Sequence, residues 1–174
     1  SVHRFHAEMA ARLERQPNAI SSTSTHDTKR GEDSRARLHT LTEAPDLWAE
    51  HVARWRGINR SCVVTLDDGP APEPAVEWML YQALAGVWPP ILRPEDSAGL
   101  KALRERFLAY VEKSVKEAKL RTDWSDRNEA YEKAVLDYAA HLLCRENQTF
   151  LADFAGAIQP FIKAGLSNSL SQTI

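Results

Sequence analysis

Apolar residues recur at helical spacing along almost the whole chain. Val2, Phe5, Met9 and Leu13 fall three, four and four residues apart, which predicts a helix over residues 2–15 closed by Pro17. Residues 17–28, PNAISSTSTHDT, are polar and hydroxyl-rich and predict a loop, or a brief strand ending in a loop. A helix is expected over about 29–42, with Glu32 and Asp33 placed to offset the dipole of its first turn. Another is expected over about 45–59, burying Leu47, Trp48, Val52 and Trp55. Residues 63–66 allow one short strand before a turn-rich loop, DDGPAPEP. Val76, Leu80, Ala83 and Val87 then mark one face of a helix over about 74–87, ended by Trp88-Pro89-Pro90.

The clearest element covers residues 95–120. Leu100, Leu103, Phe107, Val111, Val115 and Ala118 line one face, and Lys101, Arg104, Glu105, Glu112, Lys116 and Lys119 the other. Residues 126–144 repeat the theme with Tyr131, Val135, Tyr138 and Leu142. Residues 148–166 do so with Phe150, Phe154, Ile158, Phe161 and Ile162, and Pro160 should kink or interrupt that helix. The tail SNSLSQTI is polar. Alternation at period two nowhere exceeds four residues. The pattern therefore predicts a mainly α fold of about seven helices around one core, with at most a short strand near residues 19–25.

Length and composition narrow the classes without naming one. A chain of 174 residues, 43 % apolar and 26 % charged, suits one soluble domain. Lys and Arg number 22 against 24 Asp and Glu, a net charge of −2, so no nucleic-acid partner relying on bulk positive charge is expected. No apolar run approaches the roughly 18 residues of a membrane span, so no membrane partner is expected. The opening residues are charged and amphipathic, unlike a secretory signal, and there is no initiator Met. A cytoplasmic piece of a longer chain is expected. Cys62 and Cys144 form no CxxC pair, which disfavours a zinc ribbon or a thioredoxin-like site and leaves two inert reduced thiols. His3 and His6 share a helix face but have no third ligand nearby, and His141 sits on an apolar helix, so no metal is expected. No Gly-rich phosphate loop occurs, and no cofactor is expected.

Two polar stretches are candidates for chemistry. Lys113, Lys116, Lys119 and Arg121, interrupted by Glu112 and Glu117, form either a salt-bridged solvated face or a polar lining for an anionic or polyhydroxyl ligand. Residues 21–33 are the densest polar run. An N-capped helix start accounts for part of it, with Asp27 or Thr28 as the cap. Capping does not require His26 beside Asp27 or Lys29 beside Arg30, so a functional loop stands next to that plainer account.

Residues 25–38, THDTKRGEDSRARL, resemble the fourth signature region of the maltooligosyltrehalose synthases, a branch of glycoside hydrolase family 13 in the α-amylase clan. Three further blocks are similar in the same order: LYQALAGVWP at 80–89, KSVKEAKLRTDW at 113–124 followed by Asn128 and Tyr131-Glu132, and NSLSQ at 168–172. The resemblance implies a (β/α)8 barrel whose active site lies at the carboxyl ends of the strands. Residues 1–33 would be a barrel helix, the end of strand seven and an active-site loop. Residues 34–174 would be a helical subdomain inserted before strand eight.

The implied reaction is an intramolecular transglycosylation. The reducing-end glucose of a maltooligosaccharide moves from an α-1,4 to an α,α-1,1 linkage, giving maltooligosyltrehalose for trehalose biosynthesis. By that resemblance Asp27 is the carboxylate that stabilises the transition state, and His26, Lys29 and Arg30 bind substrate hydroxyls. Lys119, Trp124 and Tyr131 join them as substrate-binding candidates, though core packing accounts equally well for the aromatic pair. The nucleophile and general acid belong to strands four and five, outside these residues. The isolated chain is therefore expected to be inactive, to need the remainder of its barrel, and to self-associate through the face left uncovered. Two alternatives stay open: a stand-alone helical interaction module, and a carbohydrate-binding module without catalysis. Trp48, Trp55 and Trp78 fall at core-like positions, which weighs against the second.

Overall fold

The structure, a computed structural model, describes residues 1–20 and 22–173. It divides into two units, Ser1–Glu32 and Asp33–Ile174.

The first unit contains helix α1, Val2–Arg15. Ser1 caps it by accepting from the Arg4 amide, and Arg4 pairs with Glu8 one turn on at 2.8 Å. Its apolar stripe exists as predicted, but none of its residues is buried, and Val2, Phe5, Met9 and Leu13 are exposed. A 3-10 turn, His26–Thr28, follows a stretch without strand among the described residues of 19–25. An extended segment needs a neighbouring strand to satisfy its backbone, and the unit supplies none. Ser21, first in the polar run, lies outside the described residues.

The second unit is helical. Helix α2, Glu32–His39, is continued by a 3-10 turn, Thr40–Glu43. Then come α3, Pro45–Asn59, and α4, Pro74–Val87, each with Pro at its first turn, where a missing amide costs nothing. Between them Val64–Leu66 (β1) and Gly69–Ala71 (β2) pair antiparallel as a hairpin, Val64 opposite Ala71. Gly69 takes a φ of 121° at the turn, which suits a residue without a Cβ. Helices α5, Ser97–Ala118, α6, Glu129–Leu142, α7, Gln148–Ala157, and α8, Gln159–Gln172, complete the unit. The segment expected as one kinked helix is two, because Pro160 opens α8, and α8 runs on through the polar tail.

Aromatic residues of α3, α4 and α7 converge on Trp55. Its ring lies 4.8 Å from Phe154 and 5.3 Å from both Trp48 and Tyr81. Burial of rings this large stabilises by about 1.5–3 kcal/mol each. Leu47, Trp78 and Val87, expected in the core, are exposed: the buried face of α3 runs through Trp48, Val52, Trp55 and Asn59, and that of α4 through Glu77, Leu80, Tyr81 and Leu84. Trp78 keeps an edge-on contact with Trp48 at 6.4 Å.

Helix α2 is slotted between α4 and α8 by two glycines. A Cβ on Gly86 would lie 2.5 Å from Ser34 Oγ, and one on Gly165 would lie 2.7 Å from Arg37 Cα. Arg37 then donates to the carbonyls of Ala85 at 2.9 Å and Trp88 at 2.7 Å, satisfying the open end of α4. Asn168 of α8 donates to Ala36 O at 3.2 Å.

Candidate functional site

The polar loop of the first unit braces itself. Thr25 is extended and accepts from the Asp27 amide through Oγ1 at 3.3 Å, capping the 3-10 turn. The Thr28 hydroxyl donates to Thr25 O at 2.7 Å and lies 3.1 Å from Arg30 O. Lys29 takes the left-handed conformation, φ 60°, and turns the chain before α2, which is why that helix starts at Glu32 and not at 29. Ser24 Oγ and Glu32 Oε1, 3.4 Å apart, link the two ends of the turn. Held on this frame, His26 Nε2 is 3.3 Å from Asp27 Oδ1, with both side chains strongly exposed. A contact this exposed contributes little to stability. Its chemical content is an acceptor beside a donor, both open to a hydroxylated ligand.

The remaining predicted residues lie on the second unit, at the connection from α5 to α6. Lys119 ends α5 with φ 53°. Trp124 is 58 % exposed, with the Lys116 ammonium 4.8 Å from its ring centroid. Lys116 itself is only 3 % exposed and pairs with Glu112 at 2.6 Å and Glu132 at 3.6 Å. Buried Glu132 accepts from Thr122 Oγ1 and from Arg127, each at 2.6 Å. The Arg127 hydrogen bond, joined by that from Thr122 and by the charges of Arg127 and Lys116, holds its carboxyl down to about 2 against the opposing effect of burial. Asp123 accepts from the amides of Ser125 and Asp126, which lowers its carboxyl below the usual range and fixes the turn around Trp124.

Tyr131 is placed differently from its expected role. It is 2 % exposed, its hydroxyl donates to Glu73 at 3.0 Å, and Arg121 lies 4.3 Å from its ring centroid. Burial, with the Glu73 carboxylate, pushes its hydroxyl pKa up. The packing account therefore fits Tyr131, which offers no open ring face to a sugar. Arg121 also binds Asp68 through two nitrogens and Pro70 O at 2.6 Å, which ties the hairpin to this connection.

A cleft of about 530 Å³ opens beside α3, lined by Arg56, Gly57, Arg60, Val63, Thr65 and Glu77. Glu77 is buried along its lining and accepts from Arg56 at 2.8 Å and from Tyr138 at 2.5 Å, while the Tyr81 hydroxyl lies 3.1 Å from Glu77 and 2.7 Å from the Tyr138 oxygen. Burial pushes both tyrosine hydroxyls up in pKa. Among the described residues no group of three His, Cys, Asp or Glu could hold a metal ion, and no helix is long and apolar enough to cross a membrane.

No family model matches the chain. A protein of Mycobacterium tuberculosis assigned as a maltooligosyl trehalose synthase is 39 % identical over 131 residues, 75 % of this chain. A crystal structure of a maltooligosyl trehalose synthase superposes with a TM-score of 0.72 at 28 % identity, covering 87 % of this chain. The maltooligosyltrehalose synthase from Arthrobacter ramosus gives 0.70 at 28 % identity over 97 %. The chain belongs to the maltooligosyltrehalose synthases. It spans 15 % of the length of the curated relatives it matches and 19 % of those two solved chains.

Against the maltooligosyltrehalose synthase resemblance, the sequence placed His26 and Asp27 together and the structure keeps them so. Lys116, Arg121 and Glu132 were not singled out as individuals. Lys116 stands on the predicted polar face of its helix, and only the fold of the following turn buries it. The Arg56 and Glu77 cleft carried no motif. Its one signal was a carboxylate on the apolar face of α4, close to Val76 and Leu80.

Proposed function

We propose that this chain is the part of a maltooligosyltrehalose-forming isomerase that stabilises the transition state and grips substrate hydroxyls. Residues 1–33 serve as a barrel-derived helix, the end of a strand and an active-site loop, and 34–174 as a helical subdomain. The reaction moves the reducing-end glucose of a maltooligosaccharide from an α-1,4 to an α,α-1,1 linkage. A retaining mechanism of this kind passes through an oxocarbenium-like ring twice, with the freed glucose attacking in place of water. Asp27 accepts hydrogen bonds from ring hydroxyls that become more acidic as positive charge develops, so its bonds strengthen in the transition state. His26 supplies a neighbouring donor. Lys29 and Arg30 hold the glucose while it turns over, and Lys119 and Trp124 contact more distant sugar units. Water must be kept out until the new bond forms, which the rest of the barrel accomplishes. The nucleophile and general acid come from that remainder, so the chain alone turns nothing over. A soluble oligosaccharide substrate sets the work in the cytoplasm.

The observation carrying this reading is the exposed His26–Asp27 pair on a loop braced by Thr25 and Thr28. The test is product analysis on the parent enzyme with Asp27→Ala, using maltopentaose. A loss of non-reducing product of roughly 10²-fold or more, with the fold intact, is expected. Near-normal turnover would make the loop structural and remove the proposal.

A further inference from the structure

We propose that Trp124 is a stacking platform for a glucose ring of an α-1,4-glucan, and that buried Lys116 is the positioning residue that sets its angle. The inference rests on the carbohydrate reading above and adds a binding element to it. With the ammonium of Lys116 4.8 Å from its ring centroid and 58 % of the residue exposed, Trp124 has one covered face and one facing solvent. An exposed tryptophan on a loose loop would be ordinary. This one is met on one face by Lys116 and sits in a braced turn. Lys116 is pinned by Glu112 and Glu132, Thr122 and Arg127 bind the same Glu132, and Asp123 ties down the two residues that follow the ring. A platform fixed before the ligand arrives avoids the entropy of ordering it.

The arrangement also selects the ligand. The covered face is already engaged by Lys116, whose charge Glu112 and Glu132 offset, which leaves the open face as an apolar surface. A neutral ring with C–H bonds on its face and hydroxyls at its edge suits such a surface. The accessible side chains that flank Trp124 along the chain, Asp123, Ser125 and Asp126, are polar, as the rim of a sugar site must be. Leu120, 71 % exposed on the same connection, is the one apolar neighbour in sequence and marks the competing occupant, a protein surface.

Indole N–H resonances of the isotopically labelled chain provide the test. There are five tryptophans, and Trp124→Phe identifies its own signal by loss. Maltoheptaose should move the Trp124 signal to saturation and leave Trp78, edge-packed on Trp48, unmoved. Trp124→Ala should weaken maltoheptaose binding about 3- to 10-fold. Lys116→Met should weaken it similarly, and Lys116→Arg should restore it, an outcome that general loss of fold would not produce. A Trp124 signal unmoved by maltoheptaose overturns the platform. If signals of residues 25–30 move while Trp124 does not, the platform fails and the carbohydrate reading survives. If the parent enzyme tolerates Asp27→Ala, that reading fails on its own. If Leu120→Ser perturbs assembly of the parent enzyme as strongly as Trp124→Ala, and neither changes the KM for maltoheptaose, the occupant is protein and the proposal falls.

Discussion

Gly165→Ala should destabilise the second unit, whereas Gly156→Ala should stabilise it. Both glycines sit within helices, and by propensity alone each replacement gains about 0.5–1 kcal/mol. Around Gly156 a new Cβ meets nothing within 4 Å, so that gain stands. At Gly165 the same atom would lie 2.7 Å from Arg37 Cα and 2.8 Å from Arg37 Cβ. Non-bonded carbons are comfortable at about 3.5–4.0 Å, so α8 and α2 must separate by most of an ångström. The obstacle is backbone, and no rotamer relieves it. Overpacking of this kind costs about 1–3 kcal/mol. The net effect is a loss of about 0.5–2 kcal/mol, larger if the shift also loosens the bonds from Arg37 to Ala85 and Trp88. For a unit of this size each kcal/mol moves Tm by about 2–4 °C. Thermal melts followed by far-ultraviolet circular dichroism should place Gly165→Ala several degrees below the parent and Gly156→Ala slightly above it. A Gly165→Ala chain that melts at or above the parent would refute the close approach of α2 and α8.

Three further outcomes are expected. Tyr138→Phe removes the hydroxyl bonded to Glu77 at 2.5 Å and to Tyr81 at 2.7 Å, and should lower the urea midpoint by the equivalent of about 1–3 kcal/mol with an unchanged slope. Arg37→Met keeps the side chain's bulk but strands the carbonyls of Ala85 and Trp88, and should cost a similar amount in the same assay. Glu132 has its carboxyl lowered from 4.5 to about 2, so its stabilisation is complete above the unfolded value and is lost as pH falls through the folded one. The stability gap between the parent and Glu132→Gln should therefore hold steady from neutrality to mildly acidic pH and close between about 4.5 and about 2, read from urea midpoints across pH. A gap that widened on acidification would contradict the assigned bonds.

Helices were legible wherever a stripe was long. The run from Leu100 to Val115 gave α5 almost to the residue, because the buried and exposed faces differ at every turn. A stripe reports amphipathicity and says nothing of its cover, so α1 was recognised while the exposure of Phe5 and Leu13 was not. The hairpin was half seen. Its strands have three residues each, too short for alternation to speak, and the DDG turn looked like plain loop. At the site, His26 and Asp27 are chain neighbours, so their pairing needed no tertiary information. The fate of Tyr131 depends on Glu73, 58 residues away, and was invisible. The Lys116–Trp124 contact needs the left-handed turn at Lys119, which no residue preference announces for lysine.

The hairpin ends as a matter of fastening. Its two strands share three residue pairs and could not persist as an isolated ribbon. Arg121 reaches across to Asp68, Pro70 and Glu73 while lying against Tyr131, so one side chain from a distant helix connection closes the ribbon onto the helices. Ala71 is fully buried and Leu66 packs on the core, so opening residues 64–71 must release the guanidinium clasp and these apolar contacts together. A protease that cuts within the hairpin would report that joint release.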